Sequence, residues 1–151
     1  MQTLDLEDID MISWESSTFI ARPAAEVFAY VADVRNDPNW HKDVHSATVV
    51  KGNGQLGEGT IFDVKARVSG TEEIIGYEAP HMVVLKGGDM GKMVPTDIRT
   101  IQPVEGGVRF TRHVDLDARG FMGWMTKRML GMATKRNHQF VENLKQVLER
   151  G

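Results

Sequence analysis

Two arginines stand where the sequence pattern otherwise places apolar side chains. Arg112 interrupts an apolar row of equal parity in the segment VRFTRHVDL, whose other members are Val108, Phe110, Val114 and Leu116. A buried guanidinium is costly unless an anion accepts its hydrogen bonds, and its planar fork suits a carboxylate, a phosphate or an enolate. Arg112 therefore indicates either a ligand-binding cation or one half of an internal ion pair.

Arg136 raises the same alternatives in the C-terminal part of the chain. It lies between Met132 and Phe140 in a stretch whose apolar residues recur every three or four positions. Glu73 or Asp97 would neutralise the two arginines in a structural network. Because buried charges are normally paired, the pattern favours that network over a shared anionic ligand, but both remain open.

Two further polar residues are candidates by parity. Glu73 and Tyr77 share parity with Ile75 in the segment TEEIIGYEA, so we expect both to face the interior, although the parity of this segment is ambiguous. In an enzyme either of them would be a candidate proton carrier.

The remaining chemical motifs are weak. His41 and His45 have i, i+4 spacing, but Pro38 leaves little helix there and no third ligand is evident, so we predict no metal and no cofactor.

Gly52, Gly54 and Gly57 form a G-x-G-x-x-G motif. A dinucleotide site needs a helix after the glycines, whereas TIFDVKARV reads as a strand, so we predict a hairpin connection.

Composition excludes several classes of protein. The 151 residues carry a net charge of −3, which argues against a general nucleic-acid binder, and there is no cysteine. No apolar run is long enough to span a bilayer. We predict a single cytoplasmic domain, with an acidic flexible tail over residues 1–11. Residues 119–151 hold seven basic side chains against two glutamates, which we interpret as the solvated face of a helix.

The elements that position these residues are mostly strands. We predict strands over 12–21, 45–50, 60–68, 71–79, 81–86, 95–101 and 108–116, short helices after Pro23 and up to Trp40, and one long helix over 121–150. Phe62 and Val64 alternate with charged residues, which is typical of a half-buried antiparallel strand. This order predicts an α+β fold.

Several stretches resemble the polyketide cyclase/dehydrase group of the START-like (SRPBCC) superfamily, the relatives of the birch-pollen allergen. They are STFIARPAAEVFAYVADVRNDPNWHKDV, GQLGEGTIFDV, YEAPHMVVLK, GGVRFTRHVDL and NLKQVLER. The resemblance covers nearly the whole chain after residue 12. It implies a helix-grip fold, in which a curved antiparallel sheet of about seven strands wraps around a long C-terminal helix, with two short helices after the first strand.

The resemblance also implies an apolar cavity between sheet and helix that binds a hydrophobic small molecule. On that basis the expected cavity residues are Trp40, Phe62, Val64, Glu73, Tyr77, Phe110, Arg112, Trp124, Met125, Met129, Met132 and Arg136. Methionines suit an adaptable pocket wall.

Three hypotheses of function follow. The first is the binding of a lipid, polyketide or aromatic metabolite, anionic if an arginine orients it. The second is a polyketide cyclase, aromatase or dehydratase, in which Arg112 stabilises an enolate. The third is a module that uses its basic helix at a membrane surface or in a protein interaction. The ligand and the oligomeric state, including a homodimer, are left open.

Overall fold

A computed structural model describes residues 11–52, 54–88, 94–117, 128 and 130–150. Its elements, in chain order, are β1 (Met11–Ile20), α1 (Ala24–Val31), a 3-10 helix (Val34–Asn39), β2 (Val44–Lys51), β3 (Ile61–Ala66), β4 (Gly70–Glu78), β5 (Met82–Gly88), β6 (Val94–Val104), β7 (Gly107–Asp117) and α2 (Leu130–Arg150). The predicted tail over residues 1–11 lies almost wholly outside the described residues.

The seven strands form one antiparallel sheet in the order β1-β7-β6-β5-β4-β3-β2. The predicted helix-grip architecture is confirmed, with two short helices after β1 and a long helix at the C-terminal end. Helix α2 is fastened to the end of β1, where Lys145 Nζ donates to Phe19 O at 2.7 Å and Glu149 accepts from Ala21 N at 2.8 Å.

Local sequence explains the connections. Pro23 precedes α1, where its fixed φ suits a helix start. The glycine-rich segment joins the antiparallel strands β2 and β3, and Gly52 and Gly54 have positive φ there, as we predicted for a hairpin connection. No helix follows these glycines, so the phosphate-binding context is missing.

Strand β4 corrects the predicted parity of Glu73. Ile74 is fully buried, whereas Glu73 and Ile75 are exposed. The pairing of β4 with β5 shifts between Ile74 and Gly76, and one extra residue in a strand reverses the alternation of side chains beyond it. Glu72 therefore faces inward before the shift and Tyr77 after it, so the prediction was wrong for Glu73 but confirmed for Tyr77, which packs against the core.

Helix α2 corrects the predicted buried stripe. Its buried residues are Asn137, Phe140, Val141, Leu144 and Leu148. Phe140 lies on the buried face, as the apolar pattern predicted, but the position before it on that face is Asn137 rather than Arg136.

Met132 and Arg136 were both expected on the buried stripe, and both are exposed. The reason is that polar Asn137 takes the inward position next to Phe140, where it hydrogen-bonds to β7. The predicted helical residues 121–127 and Met129 lie outside the described residues.

A glycine at the β6–β7 turn is required by close packing. A Cβ on Gly107 would lie 2.2 Å from the backbone oxygen of Ile20, at the end of β1. Ordinary carbon–oxygen contacts are far longer, and a backbone atom cannot rotate out of the way as a side chain does. Gly107 therefore allows β1 and β7 to remain paired to their ends.

We expect Gly107→Ala to lower the free energy of unfolding by about 2 kcal/mol, because the strands must separate to admit the methyl group. Urea unfolding followed by circular dichroism measures the change. Gly131→Ala is the matched control, since that helical glycine has open space around its Cβ position. The control should leave stability unchanged or raise it by up to about 1 kcal/mol. Equal stability of Gly107→Ala and the wild type would contradict the packing argument.

Candidate functional site: a cavity on the inner face of the sheet

A cavity of about 400 Å³ lies on the inner face of the sheet, and all seven strands contribute to its lining. Its apolar residues are Trp14, Val44, Val64, Ala66, Val68, Leu85, Pro95, Val114 and Leu116. Its polar residues are His41, Asp43, Arg67, Glu72, Asp97 and Arg112. This volume falls within the range of small-molecule sites, which are typically apolar with a few polar groups that fix orientation.

Arg112 faces the interior, as its parity predicted, and its partner is internal. Its Nε and Nη2 donate to Asp97 Oδ2 at 3.1 and 2.9 Å, and its Nη1 donates to Asn137 Oδ1 at 2.8 Å. The amide of Asn137 in turn donates to the backbone oxygen of Arg112 at 3.1 Å. The guanidinium is thus held between β6 and α2, and the ion-pair alternative is the one that the structure shows.

A second buried arginine, Arg99, completes the network. It is 1% exposed and forms a two-pronged contact with Asp37 of the 3-10 helix, at 3.0 and 2.8 Å. Its Nη2 also donates to Asp97 Oδ2 at 3.0 Å, and its guanidinium carbon lies 4.9 Å from the ring centroid of Trp40. The sequence pattern did not indicate Arg99, Asp37 or the inward side of β6.

The charges of this network balance. Burial raises the pKa of Asp97, but the charges and hydrogen bonds of Arg112 and Arg99 outweigh it and hold that pKa well below its ordinary value. Burial also raises the pKa of Asp37, and its contact with Arg99 favours the ionised form. Two guanidinium groups therefore face two carboxylates, so Arg112 does not make the cavity cationic.

Glu72 is a further carboxyl group of the cavity, and it forms no ion pair with these two arginines. It lines the cavity, and its Oε1 is inaccessible to solvent and has no hydrogen-bond partner in the described part of the chain. Burial raises its pKa to about 7 from the ordinary 4.5, with a further contribution from the negative charge of Asp37. Near neutral pH this side chain therefore exists in both its acid and its carboxylate form.

His41 provides a second unpartnered atom in the same cavity. Its ring stacks on Phe140 with centroids 4.2 Å apart, and its buried Nδ1 has no partner among residues that the structure describes. Burial, and then the positive charges of Arg112 and Arg99, lower its pKa well below the ordinary value. His41 is therefore a neutral imidazole near pH 7. His45 is exposed on β2 and does not share this environment.

Asp43 pairs with two cations beside the cavity. It contacts Arg136 closely and Arg67 at 3.9 Å. Arg67 and Asp43 line the cavity, whereas Arg136 does not. The expected inward-facing Arg136 is therefore an exposed side chain whose charge is met by a carboxylate.

The structure brings together only part of the predicted site. Val64 and Arg112 line the cavity. Phe62, Phe110 and Trp40 are buried in the adjoining core, and Tyr77 packs there against Phe28 with ring centroids 5.1 Å apart.

The other predicted residues do not line the cavity or are not described. Glu73 and Met132 are exposed, so their predicted places in the wall were wrong. Trp124, Met125 and Met129 lie outside the described residues.

The family model for polyketide cyclase/dehydrase and lipid transport proteins matches residues 11–149. The chain belongs to this family. No curated protein matches the sequence itself. Among the residues described, no helix is long and apolar enough to cross a membrane.

Solved structures share the fold at low sequence identity. The Ara h 8.0201 structure has a TM-score of 0.66 and 14% identity, covering 93% of this chain and 99% of that one. TTHA0849 from Thermus thermophilus has a TM-score of 0.73 and 15% identity, covering 89% and 95%. The di-domain ARO/CYC StfQ from the steffimycin biosynthetic pathway has a TM-score of 0.76 and 10% identity, and the match covers 97% of this chain but 53% of that protein.

We expect Arg99→Met to lower the free energy of unfolding by about 3–5 kcal/mol, because it leaves the buried carboxylate of Asp37 unpaired. Chemical denaturation measures this loss. Arg109→Met, at an exposed position of β7, should change stability by less than about 0.5 kcal/mol. The double variant Arg99→Met, Asp37→Asn should recover part of the loss, and a double variant as unstable as the single one would count against the ion pair as its cause.

Glu72 should make stability depend on pH. Its pKa is about 7 in the folded protein and 4.5 ordinarily, so between these values the folded protein keeps a proton that the unfolded chain has released. The contribution of Glu72 to stability therefore falls as pH rises from about 4.5 to about 7 and stays low above that.

We expect Glu72→Gln to be more stable than the wild type at pH 8 by on the order of 2–3 kcal/mol, with the difference shrinking toward pH 4.5. Melting temperatures across that range measure it. Glu73→Gln, at the exposed neighbouring position, should have the same melting temperatures as the wild type at each pH. A Glu72→Gln curve parallel to the wild-type curve would show that this carboxyl group is not held in its acid form.

Proposed function

We propose that this protein binds a hydrophobic small molecule in the cavity on the inner face of the sheet. The observation that carries the proposal is the cavity of about 400 Å³, with mostly apolar walls and a few polar groups in its lining. Apolar walls supply affinity by removing ligand surface from water, and a few polar groups set orientation. Family membership supports the same conclusion.

The ligand that the charges favour is neutral. Arg112 and Arg99 already donate to Asp97, Asp37 and Asn137, so a ligand carboxylate would have to compete with internal partners. It would also meet the unpartnered oxygens of Asp97 and Glu72. We therefore propose that the ligand is not the anion that an orienting arginine would select but an apolar molecule that carries uncharged oxygen groups.

A bulky side chain that fills the cavity should strongly weaken the binding of a hydrophobic ligand. Ala66 lines it at the end of β3, and Lys65 lies on the opposite, exposed side of the same strand. We expect Ala66→Trp to weaken binding of 2-isopropylnaphthalene at least tenfold, because the indole occupies the space of the ligand. Lys65→Trp should bind as the wild type does.

Amide chemical-shift titration measures both affinities and locates the probe. The expected shifts involve Val64, Leu85 and Val114, which line the cavity. A wild type that gives no shifts there, or an Ala66→Trp variant that binds unchanged, would overturn the proposal.

A second candidate function is the cyclisation or dehydration of a polyketide-like chain. It is favoured by the presence of two titratable groups, Glu72 and His41, in one cavity. Loss of water from a β-hydroxyketone needs a base to take the proton at the α carbon and an acid to protonate the departing hydroxyl group. His41 has the neutral form that a base requires, and protonated Glu72 has the form that an acid requires.

Turnover distinguishes the two candidates. A synthetic β-hydroxyketone thioester, incubated with the protein and followed by mass spectrometry, should lose water faster than in buffer if the second candidate is right. The rate should fall in both His41→Ala and Glu72→Gln. Binding of the thioester without any faster loss of water would support only the first proposal, the binding function.

A further inference from the structure

Three atoms in the cavity lining lack the hydrogen-bond partners that buried polar groups normally have. They are Glu72 Oε1, Asp97 Oδ1 and His41 Nδ1, none of which has a partner within the described part of the chain. Leaving such groups unpaired is unfavourable, because they lose the hydrogen bonds that they make to water in the unfolded chain. A ligand that hydrogen-bonds to one of these groups would compensate for the missing partner, so Glu72, Asp97 and His41 are the candidate polar contacts of the site.

Glu72 differs from Asp97 in its charge environment. Asp97 has two guanidinium partners through its other oxygen. The charged groups that act on Glu72 are Asp37 of the 3-10 helix, Asp97 and Arg99 of β6, and Arg112 of β7. They sum to zero, so no surplus positive charge remains to stabilise a carboxylate at Glu72. Among the other groups of the lining, His41 is neutral, and the charges of Asp43 and Arg67 oppose each other.

We propose that Glu72 determines ligand specificity: in its acid form it donates a hydrogen bond to a carbonyl oxygen of a neutral, hydrophobic ligand. This inference rests on the proposed binding function and adds the chemical class of the ligand, an apolar ketone or related carbonyl compound. A ligand carboxylate is disfavoured, because Arg99 and Arg112 are already paired with Asp37 and Asp97 and leave no positive charge to balance it. A pure hydrocarbon fits the walls but leaves the acid unpaired.

The consequence is binding that depends on pH. The donor is present only while Glu72 keeps its proton, and burial raises its pKa to about 7. The preference for a ketone is therefore present at pH 6 and lost at pH 8.5, where nearly all Glu72 is ionised. Contact with the ketone raises the pKa of Glu72 further, so binding near neutral pH takes up a proton.

The test compares two probes of nearly equal shape, 2-acetylnaphthalene and 2-isopropylnaphthalene, by calorimetry at pH 6 and pH 8.5. We expect the wild type to bind the ketone about fivefold more tightly than the hydrocarbon at pH 6 and equally at pH 8.5. Glu72→Gln should keep the preference at both pH values, because its amide donates at any pH. Glu72→Met should show no preference while still binding the hydrocarbon. Naphthalene-2-carboxylate should bind more weakly than the ketone.

The results of this experiment distinguish the role of Glu72 from the proposed binding of a hydrophobic small molecule. Equal affinity for ketone and hydrocarbon at pH 6, or a preference that persists at pH 8.5 in the wild type, overturns the role of Glu72 alone. Failure of the hydrocarbon to bind the wild type at both pH values overturns the proposed function and this inference together. In Glu72→Met, an undiminished ketone preference would assign the recognition to another group and so contradict the proposal.

Discussion

The rest of the structure depends on one shared oxygen atom, Asp97 Oδ2. The pairing of β6 with β7 places Arg99 directly opposite Arg112, and like charges at opposite positions of a sheet repel each other. Asp97 Oδ2 accepts hydrogen bonds from both guanidinium groups. Asp37 then holds Arg99 against the 3-10 helix, and Asn137 holds Arg112 against α2. Two strands and two helices therefore meet at one hydrogen-bonded cluster.

This cluster also decides what kind of cavity the fold encloses. An apolar wall next to unpaired arginines would select anions, an alternative that the sequence pattern had left open. The guanidinium groups instead pair with internal carboxylates and an asparagine, so they hold secondary-structure elements together rather than bind an anion. Glu72 is the carboxyl group that has no arginine partner among the described residues, and burial raises its pKa and so favours its neutral form. The site therefore offers hydrogen-bond donors and acceptors rather than net charge.

The sequence allowed most of the fold to be predicted. Alternation in segments such as TIFDVKARV and the turn residues between strands placed all seven strands within a few residues of their observed bounds. It also allowed the inward direction of Arg112 to be inferred, and the next residue, His113, lies on the other face beside Glu15 and Asp115. These features depend on local periodicity, which is directly readable from one chain.

The site itself was predicted poorly, and its errors share a physical cause. A shift in pairing between β4 and β5 reverses parity, so Glu72 rather than Glu73 points inward, and such a shift depends on the neighbouring strand. In β6 the inward row contains Asp97 and Arg99, while the outward row contains Ile98, so hydropathy pointed the wrong way. Asn137 was passed over because an amide is not expected in a core unless its partner is known. Arg99, Asp97 and Asn137 are buried because polar residues distant in sequence accept or donate their hydrogen bonds. Glu72 differs, since the shift in strand pairing places it inward. In this chain, periodicity therefore indicates the scaffold, while long-range polar pairing determines which charged groups are buried beside the cavity.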